Sequence, residues 1–509
     1  MPISPAAALP PSPPALPREP RGLGLPPQVI GLFLALSLVG FATANPLLTV
    51  ASIAILPFLV ALTWVPGEPP ILPFVLGFQW IQATTRVFHA DLVGAYVGDL
   101  VLYPQFGAFA DVETATWLSL VGLLVLAVGI RVATWTLAPP ERAALIREAE
   151  EFSIPRAFWL YLATTFTATA LVGSVGFMSG FKQILFAVEE LKWATYFFLG
   201  YISIVRKEGY VYFLAAFAIE FISGIGFFSG FKEVIFVTVV TYFAARSRVT
   251  MGTVAGAVVL VVALGVMGSA WTVVKPEYRN IIRGGDTNRQ GAVVDQGEQI
   301  STLVGLISGL DGEDIVNGLE PLAGRVAYVD FFGYVLGYVP TAVPHEDGAV
   351  WAAALKHIAT PRILFPGKPP IVSDSEITNR YTGLGVAGEG QATSISIGYM
   401  AESYVDFGRL WMFAPIFLIG VGRGLIYRFF LRQSDIRLLG YAFTIAVFWG
   451  GYQLEVATGK LLGGTLMRFI VLALVFRFAA PVVARWLRRD DARETEDEPT
   501  PLPMRRAWA

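Results

Sequence analysis

GTVAGAVVLVVALGVMGSA, the stretch from Gly252 to Ala270, carries no charged side chain over 19 residues. At about 1.5 Å per residue, a helix of that length crosses a hydrocarbon core of about 30 Å. A second uncharged run, Leu47 to Val65, is just as long. Around these stretches the 509-residue chain is 55% hydrophobic and only 15% charged, with a mean hydropathy of +0.60. A soluble globular protein carries roughly 25% charged residues. The chain therefore reads as an all-α polytopic membrane protein. Its net charge of −2, with no basic block in a folded region, argues against a nucleic-acid partner. The absence of cysteine excludes disulfides, thiol nucleophiles and thiolate metal sites. Three histidines, His89, His345 and His357, show no HExxH spacing, so no metal and no cofactor are expected.

Working outward from the opening stretch, candidate spans fall at 28–44, 47–65, 71–88, 114–133, 157–177, 185–204, 210–227, 231–245, 251–271, 409–428, 438–456 and 461–479. That is about twelve helices, with 185–204 the weakest because Glu189, Glu190 and Lys192 interrupt it. Residues 1–27 are rich in proline and read as a flexible tail, and 480–509 as a second tail. Arginines and lysines gather in alternate loops: Arg142, Arg147 and Arg156; Arg206 and Lys207; Arg246 and Arg248; Arg428, Arg432 and Arg437; and Arg485, Arg488 and Arg489. The positive-inside bias then puts both termini in the cytoplasm. Residues 28–271 make the first nine spans and 409–479 the last three. Between them, 272–408 forms a large, partly helical outer segment, too long for an ordinary loop and expected to carry the chemistry. Within it, 303–310 and 326–339 look like short amphipathic helices lying on or dipping into the membrane.

Several motifs bear on chemistry. GFMSGFKQILF, Gly176 to Phe186, recurs as GFFSGFKEVIF, Gly226 to Phe236, and marks a duplicated hairpin over 157–204 and 210–245. In each copy a Ser-Gly break precedes a helix with a lysine, Lys182 or Lys232, in its first turn. Free N–H groups and an ammonium then converge as an anion site; the plainer reading is a lysine snorkelling to the headgroups. Gln79, Gln82 and Arg86 share one helix face. Glu220 lies near mid-span, where a structural ion pair is the favoured reading. The outer segment holds Lys275, Arg279, Arg283, Arg289, Arg325, Arg362, Lys368 and Arg380. Guanidinium forks suit a diphosphate, although any one of them also suits a local carboxylate. Prolines around Arg362 and Lys368 hold both side chains in an extended segment. Glu402 and Asp406 are one turn apart just before a span. A carboxylate there either takes a proton from a sugar hydroxyl or pairs with Arg362 or Lys368 to order the loop.

Taken in order, an arginine-bearing segment (Arg325 to Pro340), Pro361-Arg362, Phe365-Pro366-Gly-Lys368-Pro369, Thr393-Ser-Ile with Gly398, and Glu402, Tyr404, Phe407 and Gly408 resemble the bacterial Wzy-type O-antigen or oligosaccharide repeat-unit polymerases. The resemblance covers mainly 320–410 and the arrangement of many spans with one large late loop. Asp406 stands where the family more often has asparagine. The resemblance implies a GT-C-like, metal-independent membrane glycosyltransferase of the bacterial inner membrane. It would join oligosaccharide units carried on undecaprenyl diphosphate at the periplasmic face, with a chain-length regulator and a flippase as companions. For that chemistry this chain offers Glu402, Arg362 and Arg325 as expected catalytic residues, Lys182, Lys232, Lys368, Arg279 and Arg283 as expected diphosphate ligands, and His345 as a second candidate base. An O-antigen ligase, a polysaccharide or lipid transporter built on the repeat, and an inactive membrane subunit remain open at this point.

Overall fold

The computed structural model describes residues 27–490, apart from 66, 101–107, 139–140, 174–180, 226–230, 247–250, 287–291, 362–363, 366, 370–371, 388–393 and 435. Four helices open the fold: α1 (Pro27–Gly40), α2 (Pro46–Thr63), α3 (Ile71–Leu92) and α4 (Val112–Thr134). The polar α5 (Arg142–Glu151) leads into α6 (Ile154–Gly173), α7 (Lys182–Glu189), α8 (Leu191–Arg206), α9 (Tyr210–Ser223) and α10 (Phe231–Ala245). The long α11 (Met251–Ile282) is followed by α12 (Gln296–Ser308), α13 (Gly312–Asn317), α14 (Leu319–Val326), α15 (Val329–Tyr338), α16 (Ala349–Ala359) and α17 (Asp374–Thr382). The chain returns through α18 (Gly398–Trp411) to α19 (Phe413–Arg432), α20 (Arg437–Trp449), α21 (Thr458–Phe478) and α22 (Ala480–Leu487). Among the described residues there is no strand, only an isolated bridge between Phe152 and Arg488. The described residues are all-helical.

Among the described residues, five helices are long and apolar enough to cross a membrane: α2, α4, α11 from Val258, α19 and α21. Others expected as spans are shorter, with 14 residues in α9 and 13 in α20. The segment 185–204 divides at Glu190 into α7 and α8, where the interrupting charges had made it weakest. At the other extreme, α11 runs past 271 to Ile282, so Lys275 and Arg279 ride on the same rod as the opening stretch. The 326–339 segment also departs from expectation. Val329, Phe332, Tyr334, Val335 and Leu336 are all buried, and α15 packs against α4 where an amphipathic helix with a free polar face was expected. With its other buried positions mostly apolar and its one charge, Asp330, paired inside with Arg86, α15 has no solvent face to offer.

Small residues let α4 and α19 approach closely. A Cβ on Gly420 would run into the Leu126 carbonyl, one on Gly129 into that of Phe417, and one on Gly424 into Ala133. With no hydrophobic drive between helices in lipid, such close packing is a main source of association. The polar face of α3 ties three further elements together. Arg86 makes a buried ion pair with Asp330 of α15, its Nε lying 3.1 Å from both carboxylate oxygens. Gln82 accepts from the Leu454 N–H at 2.7 Å and donates to Glu455 at 2.8 Å, while Gln79 accepts from the Tyr399 hydroxyl at 2.9 Å. At the far end, the Ser153 N–H donates to the Leu487 carbonyl and the Arg489 N–H to that of Glu151, both at 2.8 Å, and Arg156 reaches Asp490 at 2.8 Å. This clasp closes the α5–α6 junction against α22.

Candidate functional site

Lys275, Arg279 and Arg283 recur every four residues, so they share a face at the end of α11. Beneath them Trp271, Val274, Tyr278 and Ile282 form a small second core with Leu303 of α12, which fixes that face. Lys232, in the first turn of α10, and Arg325, in the last turn of α14, lie within electrostatic range of that face. Arg325 acts electrostatically on Lys232, Lys275 and Arg279, and Arg279 in turn on both lysines. Lys232 also acts on Lys275, and Arg283 on Arg279. The side chains of Lys232 and Arg325 are exposed, and the other three are half-buried. Glu455 is the carboxylate that bears on Lys232. Converging cations repel one another, and the lysine at the start of α10 also faces the positive end of its helix dipole; an anion at their centre relieves both costs.

Four of the expected site residues, Arg325, Lys232, Arg279 and Arg283, thus come together, and Lys275 joins them. The others lie elsewhere. Lys182 opens α7, with its ammonium 5.6 Å from the centre of the Phe186 ring. The duplicated lysines therefore have different neighbours. The Ser-Gly breaks before them lie outside the described residues, as do Arg289 and Arg362. Lys368 donates to the His357 carbonyl. His345 packs edge-on to Tyr404 with ring centres 5.2 Å apart, and its Nδ1 lies 3.1 Å from the Val405 carbonyl oxygen.

Glu402 is 2% exposed, and its Oε2 accepts the Thr458 N–H at 2.7 Å. It caps the start of α21. Burial pushes its carboxyl up to about 7 against the opposing pull of that hydrogen bond, with Asp374 and Asp406 adding to the rise. Asp406 does the same for α16, accepting from Val350 at 3.0 Å and Trp351 at 2.7 Å, and burial raises its pKa too. Each carboxylate orders a helix from a distance. Glu148 caps α20 likewise, accepting from Arg437 at 3.1 Å and Leu438 at 2.8 Å.

A second charged region adjoins the cations. Lys192 lies 3.5 Å from Glu189 and 3.6 Å from Glu220, which also accepts from the Tyr161 hydroxyl at 2.9 Å. Glu220 is thus the structural ion pair expected of it. Arg468 lies 3.8 Å from Glu190 and donates to the Val447 carbonyl at 3.2 Å. Glu233 bears electrostatically on Lys192. Trp449 stacks on Tyr452 with ring centres 4.8 Å apart. Sequence reasoning passed over Glu233 and Arg468. The signal available was the Gln183-to-Glu233 change, the one position where the repeat gains a charge.

A family profile described as a domain of unknown function (DUF8712) matches residues 118–483. The chain belongs to the DUF8712 family. The match takes in α5 to α21, and with them both charged regions, while the polar face of α3 lies outside it. No curated protein matches this DUF8712 chain, and no solved structure does.

Proposed function

We propose that this DUF8712 protein is a membrane glycosyltransferase that polymerises oligosaccharide units carried on undecaprenyl diphosphate. In this reading the fold is GT-C-like with about twelve spans in the bacterial inner membrane, some of them short or broken. Both termini are cytoplasmic and the α12–α17 region is periplasmic. The observation that carries the reading is the convergence of Lys232, Lys275, Arg279 and Arg325 on three helices beside the apolar rod of α11. Glycosyl transfer from a lipid diphosphate releases a multiply charged anion whose lipid stays in the bilayer. Fixed cations next to a membrane-length apolar surface suit such a leaving group, because preorganised charge stabilises the transition state without solvent reorganisation. The resemblance of 320–410 to the Wzy-type polymerases supports the same chemistry, and Arg325 belongs to both.

The test is the glycan profile of a strain lacking the gene, with lipid-linked intermediates extracted and sized. The polymerase reading expects loss of the polymer ladder and accumulation of single repeat units. Complementation with the Lys275→Glu, Arg325→Glu double variant should leave the protein in the membrane and the ladder absent, since reversing two cations opposes diphosphate binding and departure alike. A full ladder from that variant would remove the cluster from the site. A finished ladder retained on the carrier lipid in the deletion strain would make the protein a ligase instead.

A further inference from the structure

From Gly450 to Ala457 the helical path breaks off inside the bundle. α20 ends at Trp449, and the chain runs without helix until α21 begins at Thr458. Two arginines show how deep the break lies. Arg423, midway along the membrane-length α19, donates to the Gly451 carbonyl at 2.6 Å. Arg468, midway along the membrane-length α21, donates to the Val447 carbonyl at 3.2 Å, and its guanidinium takes the space that a Cβ on Gly450 would need. Irregular backbone at such a depth survives only inside protein or along a cavity, and broken helices of this kind carry binding sites in membrane proteins. Two further helices clamp the rest of the break. The Leu454 N–H donates to Gln82 of α3 at 2.7 Å. From α18, the Tyr399 N–H donates to the Val456 carbonyl at 3.0 Å, and Glu402 accepts the Thr458 N–H at 2.7 Å.

This clamp aims one side chain. With the Gln82 oxygen taken by the Leu454 N–H, its Nε2 points to Glu455 and donates to Oε2 at 2.8 Å. Glu455 is half-buried, and its other oxygen, which is not enclosed, has no hydrogen bond or ion pair among the described residues. Glu402 and Asp406 engage helix N-termini, whereas Glu455 keeps an oxygen for a ligand. One oxygen held for direction and the other unpaired is the geometry of a base oriented by a third group. We infer that Glu455 is a catalytic residue on the acceptor side, its unpaired oxygen taking the proton of the acceptor sugar hydroxyl. The inference rests on the transferase reading above and deepens it. The acceptor oxygen forms a bond to the anomeric carbon, and the bond from that carbon to the diphosphate oxygen breaks. The electron pair leaves with the diphosphate onto the cation cluster, and the hydroxyl proton goes to Glu455. The carboxylate lies within electrostatic range of Lys232, so the acceptor and leaving-group sides adjoin.

The experiment is Glu455→Gln in the deletion strain and as purified protein with lipid-linked repeat units. Glutamine keeps an oxygen for the Gln82 amide, so the variant should reach the membrane at the parent's abundance. Turnover should fall about 10²-fold or more while KM for the lipid-linked unit stays within about threefold, the signature of a lost proton acceptor. The acid limb of the pH profile of kcat/KM should disappear with it, a change that a purely structural carboxylate would not produce. A normal ladder from Glu455→Gln overturns the assignment of Glu455 and leaves the transferase reading standing. So does an acid limb that persists in the variant. A Glu455→Gln protein that fails to accumulate in the membrane makes the carboxylate a structural one and overturns the assignment too. A deletion strain whose ladder and lipid-linked intermediates are unchanged overturns the transferase reading itself and the inference with it.

Discussion

At the scale of single residues, the carboxylates closest to the outer segment act first on helices. Glu402 and Asp406 are one turn apart on α18, and that spacing is visible in the sequence. Their partners are not, because Thr458 lies 56 residues from Glu402 and Trp351 lies 55 from Asp406. No local pattern encodes a cap delivered from so far along the chain. The same holds for Arg86: its helix face was legible, but its partner Asp330 is 244 residues away. Glu402 also sets a pH dependence. Its folded pKa of about 7 stands above an ordinary 4.5, so folding favours the protonated form. The contribution to stability is fully present below 4.5 and is lost as pH rises through 7. Thermal unfolding in detergent should therefore show the midpoint falling between pH 5 and 7.5, and Glu402→Gln should flatten that slope. An unchanged slope would mean that Glu402 is not the group titrating. Glu402→Ala, which removes the cap, should lower stability by about 1–2 kcal/mol at pH 5.

Among the helices, the chain announced most of what it builds and concealed where some elements stop. The Asn45-Pro46 break does open α2 at Pro46, and Glu189, Glu190 and Lys192 marked the place where α7 gives way to α8. The end of α11 was misread because charges appear from Lys275 onward, yet Trp271, Val274, Tyr278 and Ile282 hold the helical period beneath them. Hydropathy averages over such a stretch, whereas periodicity survives it. Spacing also carried the one part of the site that sequence could have assembled, Lys275, Arg279 and Arg283; the arrival of Lys232 and Arg325 is tertiary. The α4–α19 crossing gives a test at this scale. Gly424→Leu would force a branched side chain into Ala133 and the Ile130 carbonyl. It should cost about 1–3 kcal/mol or more, read as a lowered midpoint and faster proteolysis in detergent, while Gly422→Leu, whose Cβ meets nothing within 4 Å, should behave as the parent.

For the molecule as a whole, composition alone fixed the class: an all-helical chain with membrane-length apolar helices. The number of crossings belongs to a finer level, since several interior helices are too short for the length rule that counts them. Because the sequence has no cysteine, each thiol introduced by mutation is the only one present. Ser308→Cys should react with an impermeant maleimide in intact spheroplasts, while Lys207→Cys and Gln433→Cys should react only after permeabilisation. Labelling with the sides exchanged would reverse the proposed orientation and move the cation cluster to the cytoplasmic face. The clasp around Phe152 bears on a different matter, the order in which the protein is made. Asp490 is translated 334 residues after the Arg156 it binds. The seam at the start of α6 therefore stays unlatched while the intervening residues are made, and a nascent chain arrested before Asp490 lacks the ion pair with Arg156 that closes it.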